Sequence, residues 1–79
     1  MTETERCARI AEAQIVAGTD NRRVEATIAG IRVGSRRETT DAAEAARCIN
    51  IARSQLRGDD TDRRIEAIIE AIGRGADAA

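Results

Sequence analysis

Two thiols, two amides and three arginine pairs are the residues with which this chain could do chemistry. Cys7 and Cys48 are its only cysteines, Gln14 and Gln55 each follow a cysteine by seven positions, and the pairs are Arg22-Arg23, Arg36-Arg37 and Arg63-Arg64. Thiols can form a disulfide or act as nucleophilic thiolates, and guanidinium groups bind phosphate through paired hydrogen bonds. The groups that such chemistry usually needs beside it are missing. The chain has no histidine, so the ordinary general base near neutral pH and the commonest metal ligand are both absent. Two thiolates alone are too few for a structural zinc site. No nucleophile has a matching base and orienting group, and no glycine-rich phosphate loop occurs. We therefore expect no catalytic residue, no cofactor and no metal. The absence of Phe, Trp and Tyr also removes the stacking platforms of single-strand binders and the aromatic anchors common at interfaces.

Each remaining feature has a plain structural reading. Cys7 and Cys48 sit in apolar stripes, where a free cysteine behaves as a small hydrophobe, and a disulfide would need Cα atoms within about 7 Å. Gln14 and Gln55 fall on the same stripes, so each amide must find a partner, and the expected partner is the other amide, giving a polar layer that fixes register. Arg22, Arg23, Arg63 and Arg64 stand in first helical turns, where the helix dipole disfavours cations. Neighbouring Asp20, Asp59, Asp60 and Asp62 predict local ion pairs on a solvated surface. Together with Arg36 and Arg37, the same arginines are the candidate phosphate contacts if the chain binds nucleic acid.

The elements that must position these residues are read from an internal repeat. Sliding the sequence by 41 positions lays Arg6-Cys7 on Arg47-Cys48, Gln14 on Gln55, Arg22-Arg23 on Arg63-Arg64 and Gly34 on Gly75, without a gap. We read a tandem duplication. Within each copy the apolar residues recur at helical spacing, with Cys7, Ile10, Ala11, Gln14 and Ile15 on one side of the first segment and Val24, Thr27, Ile28 and Ile31 on one side of the second. Thr2 with Glu5, Ser35 with Glu38 and Asp41 with Glu44 fit capping boxes; Gly18, Gly34, Gly58 and Gly75 are expected to close helices. The spacing predicts helices over 3–17, 20–33, 38–57 and 61–74, joined within each copy by loops of two or three residues. The expected fold is all-α: a four-helix bundle built from two tandem helical hairpins, 2–34 and 38–75, related by an approximate twofold, with a frayed tail at 76–79. Ala26, Gly30 and Gly34, mirrored by Ala67, Ala71 and Gly75, form a small-residue column along which another helix can approach. This layout resembles the Rop-type RNA-modulating bundle, in which two identical hairpins dimerise; no sequence motif is shared, so no function is carried over.

Thirteen arginines against fourteen acids give a formal charge of −1, which argues against a protein driven to nucleic acid by its overall field. The turn Leu56-Arg57-Gly58-Asp59-Asp60 also lacks the proline and apolar residues of a helix-hairpin-helix DNA-binding turn. Only fourteen Ile, Val and Leu side chains are available for a core, and small scaffolds of this kind often gain stability by oligomerising. The polar, acidic start and the lack of a long apolar run lead to a cytoplasmic expectation, with no membrane association and with reduced thiols. The expected function is that of a non-catalytic helical interaction module, a small regulatory or inhibitory protein that homodimerises or docks on a protein partner. The alternative is a nucleic-acid-binding regulator using the arginine pairs, and a minor third is a thiol switch at Cys7 and Cys48.

Overall fold

A computed structural model describes residues 2–33 and 40–78 of the chain. Gly34, Ser35, Arg36, Arg37 and Glu38, to which the sequence assigns a helix end, a capping box and an arginine pair, lie outside them. The described residues form four helices and no strand: α1 (Glu3–Glu12), α2 (Arg22–Val33), α3 (Asp41–Arg53) and α4 (Arg63–Ala78), the last entered through a 3-10 turn at Asp60–Asp62. They pack as an all-α four-helix bundle.

The starts of α1 and α3 are set by local chemistry. The Thr2 hydroxyl accepts the Glu5 amide at 3.1 Å, and Glu3 and Glu5 add negative charge to the first turn. At α3 the capping residue is Thr40, not Asp41; its hydroxyl accepts the Ala43 amide at 3.0 Å, and Asp41 becomes the first helical residue. Asp59 caps the 3-10 turn in a capping box with Asp62.

Helix ends depart from the sequence reading. The first and third helices stop at Glu12 and Arg53 instead of 17 and 57, so each connection is a loop of nine residues, 13–21 and 54–62, rather than two or three. In both loops the last turn tightens through bonds spanning three residues, Gln14 to Ala11 and Ile15 to Glu12, Gln55 to Ala52 and Leu56 to Arg53. Gly18 and Gly58 then turn the chain at φ of 85° and 83°, in the left-handed region that favours glycine. At the other end Gly75 does not close α4, and the expected frayed tail is helical to Ala78. A Cβ at Gly75 would run into the Arg6 guanidinium, so this glycine makes room for an arginine and does not stop a helix.

The centre is built from small residues. Cys7, Ala8 and Ala11 of α1 and Ala45, Cys48 and Ala52 of α3 are buried, while Val24 and Ile31 of α2 and Ile65, Ile68 and Ile72 of α4 supply the larger groups. Such small side chains let two helix backbones come close, so α1 and α3 form the inner pair. Thr4 donates to Glu44 and Cys7 meets Cys48, which makes this pair parallel. The Arg6–Ile72 and Arg64–Gln14 contacts run α1 and α4 antiparallel; Arg47–Ile31 and Arg23–Gln55 do the same for α2 and α3. Of the small-residue column, Gly30 is a close approach: a Cβ there would lie 2.8 Å from Ile51 Cγ2 on α3. Ala26 is exposed and plays no part in packing, and Ala67, Ala71 and Gly75 are half-buried.

Candidate functional site

The loops 13–21 and 54–62 emerge at the same end of the bundle, next to the first turns of α2 and α4. Each loop is held by an arginine from the opposite hairpin. Arg23 donates through Nη1 to Asp62 Oδ1 at 2.7 Å and to the Gln55 carbonyl at 3.1 Å, and through Nη2 to the Thr61 carbonyl at 2.9 Å. Arg64 donates through Nη1 to Asn21 Oδ1 at 2.5 Å and to the Gln14 carbonyl at 3.2 Å, and through Nη2 to the Asp20 carbonyl at 2.9 Å. Every member of the first set has its counterpart in the second 41 positions away. The far end carries the same arrangement. Arg6 reaches the Ile72 carbonyl and pairs with Glu3, while Arg47 reaches the Ile31 carbonyl and pairs with Glu44.

These contacts coincide with the early helix ends. The Gln14 and Gln55 carbonyls, just past the helix ends, each receive a guanidinium where a longer helix would offer an amide four residues on. Both residues are half-buried beyond the helices, no hydrogen bond joins the two amides among the described residues, and it is their backbone carbonyls that connect the hairpins. The amide layer expected in the core is therefore absent from it.

Asn21 and Asp62 are the residues that organise the loops, and residue type alone did not single them out. Asn21 Oδ1 accepts the Val16 amide at 3.1 Å and its Nδ2 donates to the Val16 carbonyl at 3.1 Å. Buried Asp62 accepts the amides of Arg57, Gly58 and Asp59 at 2.9, 2.6 and 3.2 Å. The Arg57 amide, with Arg23 and the Gly58 and Asp59 amides behind it, holds the Asp62 carboxyl down at about 2. The signal that could have found them was the repeat: Asn21 and Asp62 are near-isosteric and fall 41 positions apart beside matched arginines.

The two clasps differ in one respect. Arg23 is neutralised by the Asp62 carboxylate, whereas Arg64 meets an amide oxygen and two carbonyls, so its charge is held in place without an ionic partner among these contacts. Arg22 and Arg63, the other members of those pairs, are exposed, as is Arg57. Their guanidinium groups make no hydrogen bond or ion pair among the described residues. Between the first turns of α2 and α4 lies a cleft of about 570 Å³ bordered by Arg22, Arg23, Arg57, Arg63 and Arg64, with Asp20 and Asp60. Beside it the loops leave Ile15, Val16 and Leu56 at 41%, 49% and 37% exposure.

Cys7 and Cys48 are free, fully buried and in contact with each other at the centre of the α1–α3 seam. Each thiol also faces a carboxylate at 3.9 Å, Glu3 for Cys7 and Glu44 for Cys48. Their mutual hydrogen bond, and then burial, push the Cys7 thiol up, so the pair does not release both protons near neutral pH. Glu44 is itself held below the usual carboxylate range by Arg47 and, secondarily, by Thr4. Among the described residues no three Cys, Asp or Glu side chains are placed to hold a metal ion, and no helix is long and apolar enough to cross a membrane. Compared with known proteins, the chain matches no family model, no curated protein and no solved structure.

Proposed function

We propose that this chain is a non-catalytic helical docking module that binds an acidic surface of a protein partner through the loop end of its bundle. The observation that carries this reading is the company of exposed Ile15, Val16 and Leu56, on loops braced from the opposite hairpin, with Arg22, Arg57 and Arg63, whose guanidinium groups are unpaired among the described residues. Apolar side chains gain from burial, arginine is enriched at interfaces, and a preformed loop loses little entropy on binding. Charge favours a different protein over a second copy at this end, because end-to-end self-association would set one arginine cluster against another. The exchanged contacts at the 41-residue offset support reading the chain as two copies of one hairpin, which places two similar loops on one face. A nucleic-acid reading keeps fewer of its groups: Arg23 and Arg64 are engaged in the clasps, and Arg36 and Arg37 lie outside the described residues.

The test is site-specific cross-linking in the source cell. A photoreactive residue at Ile15 or at Leu56 is expected to trap one and the same acidic protein, and the same residue at Arg9 is expected to trap none. Ile15→Ser with Leu56→Ser should abolish the adduct formed from a probe at Val16. Equal trapping from every face, or a chain that sediments alone as a dimer blocked by those two substitutions, would contradict the proposal.

A further inference from the structure

We infer that the cleft between the first turns of α2 and α4 binds a phosphate-bearing anion. This rests on the loop end being the binding face, and it can fail separately from the docking of a protein there. Arg64 is half-buried and locked by neutral acceptors, so its charge cannot turn away to a distant carboxylate. Arg22, Arg57 and Arg63 reach the same cleft from exposed positions without partners among the described residues. Opposing the four are Asp20, whose Oδ1 already accepts the Arg22 amide at 3.0 Å, and exposed Asp60, with exposed Asp59 next to it on the side of Arg23. Like charges gathered with this little compensation repel, and a multivalent anion relieves that repulsion.

The groups also suit phosphate in geometry. Three guanidinium groups can move and close around a tetrahedral oxyanion with paired hydrogen bonds, while Arg64, whose terminal nitrogens already donate to the loop, adds a fixed positive charge beside them. A volume of about 570 Å³ exceeds a single phosphate and admits the group that carries it. The helix starts contribute little, since Asp20 and Asp59 already accept the Arg22 and Thr61 amides. Recognition is therefore by side chains.

The experiment is a calorimetric titration of the full chain with pyrophosphate at about 0.1 M salt, where exposed charges farther apart than roughly 10 Å are screened from one another. Saturable binding is expected, with Arg22→Gln plus Arg63→Gln weakening it by about tenfold or more. Those side chains are exposed and make no hydrogen bond or ion pair among the described residues, so circular dichroism should confirm an unchanged fold. Arg9→Gln plus Arg74→Gln, which remove the same charge outside the cleft, should leave affinity within about twofold. A short phosphoserine peptide without other charges separates the two sources of the ligand: binding as tight as pyrophosphate assigns a phosphorylated partner, and binding of pyrophosphate alone assigns a free phosphate compound. No saturable binding, or equal weakening by the two double variants, overturns the site. Cross-links at Ile15 and Leu56 with no pyrophosphate binding would remove this inference and leave the docking reading standing; the converse would do the reverse.

Discussion

Asn21 and Asp62 hold matching loops in matching ways, yet one is neutral and the other ionised. The carboxylate of Asp62 gathers three amides and Arg23, and a buried anion is tolerable only with such company. Asn21 accepts from Arg64 and from one amide, and uses its own amide to satisfy a carbonyl that a carboxylate would repel. The difference is readable in acid. Because the Asp62 carboxyl titrates at about 2 when folded, against about 3.9 for a free aspartate, the unfolded chain takes up its proton first. The stabilisation is present above about pH 4 and is lost as the pH falls toward 2. Glu44, also lowered, adds to the same limb. Denaturant unfolding between pH 5 and pH 2 should therefore show a steep loss of stability that Asp62→Asn makes shallower. An unchanged slope would mean that Asp62 is not ionised in this loop.

At the scale of elements, the inner helices come close because their facing side chains are small, and Gly30 shows how close α2 comes to α3. Replacing glycine by alanine in a helix usually gains about 1 kcal/mol from propensity, but overpacking a fitted contact costs about 1–3 kcal/mol. Ile51 is β-branched and cannot easily move Cγ2 aside. Gly30→Ala is thus expected to destabilise the chain by about 1 kcal/mol, with Ile51→Leu, which lacks that methyl, restoring stability in the double variant; chemical denaturation of the four proteins measures both. A Gly30→Ala variant more stable than the parent would place α2 farther from α3. The four helices were legible because apolar residues recur at helical spacing and because Thr2 announces a start. Their ends were not. Gln14 and Gln55 continue the helical pattern, and what pairs with their carbonyls is an arginine some thirty or fifty residues away. Gly75 misled for the same reason: its lack of a side chain serves Arg6 from the opposite hairpin, a tertiary cause that local rules do not contain. The exposed side of Ala26 likewise followed from how α2 is turned in the bundle, which its own spacing with Gly30 left open.

For the molecule as a whole, the hairpins α1–α2 and α3–α4 are joined by a thin, alanine-rich core and by four arginines that cross between them, two at each end. Cysteines stand in the middle of that seam as close-packed small groups. A core with so few large side chains leaves much of the fixing of the hairpins to these polar contacts, and the loop end inherits its shape from them. The candidate site was partly visible in the sequence, since the arginine pairs marked the right region. The division of labour within each pair was not, because neighbouring residues in a first turn point different ways, Arg23 and Arg64 inward and Arg22 and Arg63 to solvent. Rigidity of the loops is the claim on which both the docking face and the anion cleft depend. Amide hydrogen exchange reads it directly. The amides of Val16, Arg57, Gly58 and Asp59 should be protected, with Arg64→Ala raising exchange at Val16 and Arg23→Ala raising it at the other three by roughly tenfold or more. Loop amides that exchange in the parent chain as fast as an unfolded peptide would contradict the account.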